Sequence, residues 1–119
     1  MEHAMVVAGR DGRIVYWNQA AEQLFGYAST DAVGQRVDMI VPDDIRDKHW
    51  EGFDRVMAGG ERHLEGAAIN LPVRVRSGDV LAFPARFNHL VGPRGAPAGA
   101  VAIFDSRRGH EQPWTPIDA

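Results

Sequence analysis

The 119-residue chain carries five histidines and no cysteine, and these set the chemistry open to it. His49 stands in RDKHWEGFDRVM (46–57), at helical spacing with Ile45, Trp50, Phe53, Val56 and Met57. At about 100° per residue those side chains share one arc of roughly 140°, with Arg46 also inside it. Asp47, Lys48, Glu51, Asp54 and Arg55 fall outside. A neutral imidazole on an apolar face needs a partner for its ring nitrogens. It can give a lone pair to a metal such as a haem iron, or bond a carbonyl or side chain nearby as an ordinary core histidine. His89 is the second candidate. Strand alternation puts Leu81, Phe83, Ala85, Phe87 and His89 on one face. There His89 either approaches a cofactor opposite His49, as in a two-histidine haem, or ends the strand as a polar residue bonded to water or a loop.

Other chemistry is weaker. Asp43-Asp44 has the form of paired catalytic carboxylates, but acidic residues at a helix start are explained by the helix dipole. The glycines of GPRGAPAG do not follow a strand and open a helix, so they form a hairpin loop and not a phosphate cradle. His110-Glu111 lacks the second histidine of a zinc-protease helix, and His3 lies near the terminus. Without cysteine there is no disulfide, thiolate zinc site, iron–sulfur cluster or thiol nucleophile. No set of nucleophile, base and oxyanion donors can be assembled, so an enzyme is not expected. The net charge of −3 argues against nucleic acid as partner. No apolar run approaches the ~20 residues of a membrane span, and the first residues lack the pattern of a signal peptide, so a cytoplasmic location is expected.

The elements that must position these residues are short. AMVVAG (4–9) and RIVYW (13–17) flank the turn Arg10-Asp11-Gly12 as a hairpin. Asn18 is placed to cap a helix through QAAEQLF, which Gly26 stops. A helical turn is expected over 29–33, and an apolar patch of Val37, Met39, Ile40 and Val41 ends at Pro42. The His49 helix opens at Asp43-Asp44 and closes at Gly59-Gly60. Strands are expected within 62–76, over 80–92 and over 99–104, separated by the turn 77–79 and the loop 93–97. Composition is that of an ordinary globular domain, 45% hydrophobic and 24% charged. The expected fold is therefore α+β: residues 1–107 as one five-stranded antiparallel sheet with short helices covering one face, and 108–119 as a tail or linker. Such an arrangement can enclose an apolar pocket.

The chain resembles a PAS domain over residues 4–106. The likeness rests on DGRIVYWNQAAEQLFGY with DAVGQ after it, on VPDDIRDKHWEGFDRVMAGG, and on RSGDVLAFPARFN followed by a last strand ending AIFD. The resemblance implies a sensory or protein-interaction module that feeds a kinase, cyclase or transcription factor. It implies a pocket for haem, flavin, a small acid or no ligand. Flavin photochemistry that depends on a cysteine is excluded. The pocket helix is similar to that of haem-PAS oxygen-sensor kinases of the FixL type, which implies His49 as haem-iron ligand, with Arg55 and His63 holding the propionates and Leu64 in the pocket. Ile69 falls near that type's oxygen-binding arginine and supplies no such polar contact. Asp105-Ser106-Arg107-Arg108 also departs from the family's Asp, apolar, Thr, Glu, Arg ending.

The expectation is a small ligand or cofactor held between the 43–57 helix and the sheet by His49, Phe53, Arg55, His63, Leu64, Phe87 and His89, and relayed to a partner or output domain. One alternative is a ligand-free module that forms a homodimer or binds a signalling partner through exposed Val6, Ile14 or Val101. The other is a haem-based gas or redox sensor.

Overall fold

The computed structural model describes residues 3–59 and 68–105. The expected tail, and the segment with His63 and Leu64, lie outside the described residues. Strands β1 (Ala4–Gly9) and β2 (Ile14–Trp17) are followed by helices α1 (Gln19–Phe25) and α2 (Ser29–Ala32). Two 3₁₀ turns, Val37–Ile40 and Asp43–Ile45, lead into α3 (Arg46–Met57). β3 (Ala68–Arg74), β4 (Val80–Val91) and β5 (Pro97–Phe104) complete one antiparallel sheet in the order β2-β1-β5-β4-β3. The first and last strands are therefore neighbours at its centre. This is the expected α+β architecture. No helix among the described residues is long and apolar enough to cross a membrane.

Local chemistry sets several boundaries. The Asn18 side chain accepts the Ala21 N–H at 2.9 Å, capping α1, and also accepts the Met5 N–H at 3.0 Å, which ties the helix start to β1. Gly26 ends α1 in the left-handed conformation and donates its N–H to the Glu22 carbonyl. In the β1–β2 turn Gly12 has φ +80°, and a Cβ there would run into the Trp50 ring of α3. Gly99 serves a similar end in β5: a side chain would collide with the backbone of Ala8 on β1. The helix expected from residue 43 begins instead as the 3₁₀ turn Asp43–Ile45, closed by the Ile45 N–H on the Pro42 carbonyl at 3.2 Å. Proline tolerates a position just ahead of a helix because no N–H is needed there.

The helices cover one face of the sheet. Beneath α1 that face is tiled by rings: Phe25 meets Phe104 at 5.0 Å and both Phe83 and Trp17 at 5.6 Å, all tilted or edge-on. The Trp17 indole donates to the Tyr27 carbonyl at 3.0 Å, so its burial leaves no orphaned N–H. One expectation is corrected here. Val6 and Ile14, read as exposed pairing residues, are 3% and 1% exposed and belong to the core. Alternation of Ala4, Val6 and Ala8 turns this side of β1 inward, and an irregularity between Val7 and Ala8 brings Ile14 in opposite Ala8. The other face carries Val7 beside half-buried Val101, with Val15 and Tyr16 exposed.

Candidate functional site

Between α3 and the sheet lies a cavity of about 80 Å³. Its origin is a contrast in side-chain size. Where α1 packs, the sheet presents Phe83 and Phe104; where α3 packs, β1 and β5 present Ala8, Ala100 and Ala102. Phe53, Val56 and Met57 of α3 pack with Ala100, and Phe53 lines the cavity together with Ala8, Ala100 and Ala102. Val37, Ile40, Val41, Pro42 and Ile45 wall one side, and Leu71, Pro72, Val73 and Phe87 line the rest with Val6 and Phe104.

His49 is the polar residue of this lining. Its Nδ1 is buried and has no hydrogen-bond partner. Its ring lies edge-on to Trp50 at 4.8 Å and nearly parallel to Phe53 at 6.3 Å. Burial pushes its pKa below the ordinary 6.5; the Asp38 and Asp54 carboxylates oppose that shift and Arg36 adds to it. The neutral ring is thereby favoured, with one nitrogen as donor and the other as acceptor.

The wall of residues 37–45 is held from outside. Arg74 on β3 donates to Asp43 at 2.8 Å and to the Asp38 carbonyl at 3.3 Å, and Arg46 donates to Asp43 at 2.6 Å. The Trp50 indole N–H donates to Asp38, while the Arg36 guanidinium lies 4.1 Å over the Trp50 ring. Arg46 Nε is buried without a hydrogen bond, 4.0 Å from Asp38. Since the Asp43 side chain is 74% exposed, its ion pairs hold the wall only weakly.

Of the residues singled out from sequence, the structure brings His49, Phe53 and Phe87 together around the cavity. Half-buried Arg55 on α3 and His89 on β4 lie outside the lining; His89 pairs across the sheet with Ala100. Ile69 is fully buried in the sheet's inner face. The wall residues and the three alanines were missed as site residues. The wall had a signal, an apolar patch immediately ahead of Pro42, and the alanines had another, alternation with Val101 and Ile103 in β5.

The donor chemistry suits a haem iron, because a buried, neutral imidazole nitrogen without a partner is a ligand in waiting. The space does not. Cofactor pockets begin at about 300 Å³, several times the volume of the cavity that the described residues line. As lined by the described residues, the cavity is far smaller than a porphyrin needs.

The family model described as PAS fold matches residues 2–106. The chain is 30% identical over 73 residues to the oxygen sensor protein DosP of Escherichia coli, a match covering 61% of this chain and 9% of that protein. It is 33% identical over 63 residues to the sensor protein FixL of Bradyrhizobium diazoefficiens, covering 53% of this chain and 12% of that one. The chain thus spans only about a tenth of these curated relatives. A solved PAS domain from Colwellia psychrerythraea superposes with a TM-score of 0.71 at 22% identity, covering 87% of this chain and 84% of that one.

Proposed function

The chain belongs to the PAS fold family, and from that premise we propose that it is a sensory module whose signal is a small molecule bound between α3 and the sheet. The observation that carries this reading is the apolar cavity with the unpartnered Nδ1 of His49 at its edge. A ligand there touches α3 and the 37–45 wall on one side and the central strands on the other. The strands are tied to one another by backbone ladders, whereas side-chain contacts of Arg74, Arg46 and Trp50 tie the wall to β3 and α3, so the wall and α3 are the parts that yield. The ligand favours the arrangement in which the wall closes on it, by as much as it binds that arrangement more tightly. The altered position of α3 is then the output read by a partner or a covalently linked domain. The likeness to an oxygen sensor and to a second sensor protein supports the sensory role. The cavity volume speaks against carrying haem over with it.

Native mass spectrometry with an absorption spectrum of the purified protein tests this. The expected result is a protein without a Soret band that holds, or takes up on addition, a small mass. A Soret band removed by His49→Ala overturns the small-ligand reading in favour of haem.

A second reading has its own observation. The sheet face away from the described helices carries Val15 and Tyr16 at 59% and 49% exposure beside half-buried Met5, Val7, Val101 and Ile103. Pairing of two copies through that face is the form of partner interaction it favours. Sedimentation at rising concentration checks it, and a strict monomer counts against it.

A further inference from the structure

We infer that the molecule this cavity is built for is neutral, of about three to five heavy atoms, and monofunctional, with one hydroxyl or similar group hydrogen-bonded to Nδ1 of His49. The inference rests on the small-ligand reading and narrows it to a chemical class.

Size comes from the volume. A dry cavity of about 150 Å³ holds benzene with its six heavy atoms, and the present one is about 80 Å³. Charge is disfavoured by the described lining. Among the described residues His49 is the lining's one titratable side chain, and they bring no arginine, lysine or carboxylate to the cavity wall. The cations nearby are engaged elsewhere: Arg74 and Arg46 with Asp43, and Arg36 over the outer side of Trp50. A carboxylate or ammonium in the cavity would lose its water without gaining a counter-ion. The lowered pKa of His49 reports the same aversion, since burial is its largest cause.

The count of polar groups follows from the same lining. Among the described lining residues only His49 has a buried side-chain nitrogen without a partner, so one polar group on the ligand is satisfied there and a second is not. A hydroxyl fits whichever tautomer His49 adopts, because it both donates and accepts. The alanines of β1 and β5 receive the apolar part.

Three probes of four heavy atoms each separate these requirements: 2-propanol, ethylene glycol and acetate. Each is titrated into the full chain while methyl resonances of Val41 and Leu71 and the ring nitrogens of His49 are followed by NMR. The expected result is saturable binding of 2-propanol, at least tenfold tighter than ethylene glycol or acetate, with a shift at His49 Nδ1. His49→Leu is expected to weaken 2-propanol at least threefold. Equal or tighter binding of acetate or ethylene glycol overturns the chemical class and leaves the small-ligand reading standing. If no probe perturbs the cavity resonances saturably, that reading falls, and the class assigned here falls with it.

Discussion

The helix-covered face of this sheet is two regions with opposite packing. Under α1, Trp17, Phe25, Phe83 and Phe104 meet ring to ring, and Ala21 and Ala32 are completely buried against them. Under α3, Phe53, Val56 and Met57 pack with Ala100, and a cavity opens between Phe53 and the alanines Ala8, Ala100 and Ala102. Both regions draw on β5, which gives Phe104 to the first and Ala100 and Ala102 to the second, so the difference does not lie in the course of that strand. It lies in which side chains the sheet presents. Close packing makes the first half resist change, because any lost or added volume must be absorbed by strain. The second half has room to rearrange, which a sensor requires.

Truncation should show the contrast most strongly. Phe25→Ala is expected to cost about 3–5 kcal/mol, the range for a fully buried aromatic. Phe53→Ala borders space already open and is expected to cost roughly half as much. Urea denaturation of both variants measures the pair, and equal losses would erase the distinction between the halves.

Enlargement should act with opposite sign in the two regions. Ala21→Val adds volume where none is free and is expected to destabilise by about 1–3 kcal/mol. Ala102→Val points into the cavity, where added methyl groups find space, and is expected to stabilise by about 1 kcal/mol. It should also abolish uptake of the small probe. A destabilised Ala102→Val would mean that the cavity is not available volume.

A smaller effect concerns pH. The unfolded chain takes up a proton on His49 as pH falls through about 6.5, the ordinary histidine value. The folded chain resists until lower pH, because burial holds its pKa down. Stability is therefore complete above 6.5, declines as pH drops below it, and levels off once the folded form also protonates. His49→Phe should lose this share of the slope in denaturation midpoints measured across that window, while Phe25→Leu in the packed half should keep it.

The smallest change is expected from Arg74→Ala, which removes an exposed contact to Asp43 and a long, half-buried one to the Asp38 carbonyl. Its stability loss should be about 0.2–1 kcal/mol. Amide exchange should quicken within 37–45 and not in α1, and an unchanged pattern would deny that Arg74 holds the wall.

Much of the framework was legible in the chain. Asn18, Gly12 and Gly26 mark a cap and turns whose chemistry is local, and the structure uses them in those roles. The inward side of α3 could be read from spacing, because helical periodicity needs no knowledge of the partner. Strand faces were harder. Local pattern leaves Val6 and Ile14 free to face either way, and which side of β1 meets the helices depends on what lies over it. The irregularity at Val7/Ala8 then moves Ile14 relative to simple alternation. His89 shares the strand phase of Phe87 but lies beyond the cavity, since alternation fixes a face and not a distance along it.

By itself the sequence determined the helix that carries His49, the direction that helix turns its imidazole, and the antiparallel strands opposite. These follow from residue propensity, capping and period, all of which act over a few residues. Only the tertiary structure decided that β1 and β5, from opposite ends of the chain, bring Ala8, Ala100 and Ala102 beneath that helix. A void is the difference between the volume that distant elements enclose and the volume their side chains fill, and no local segment contains that difference.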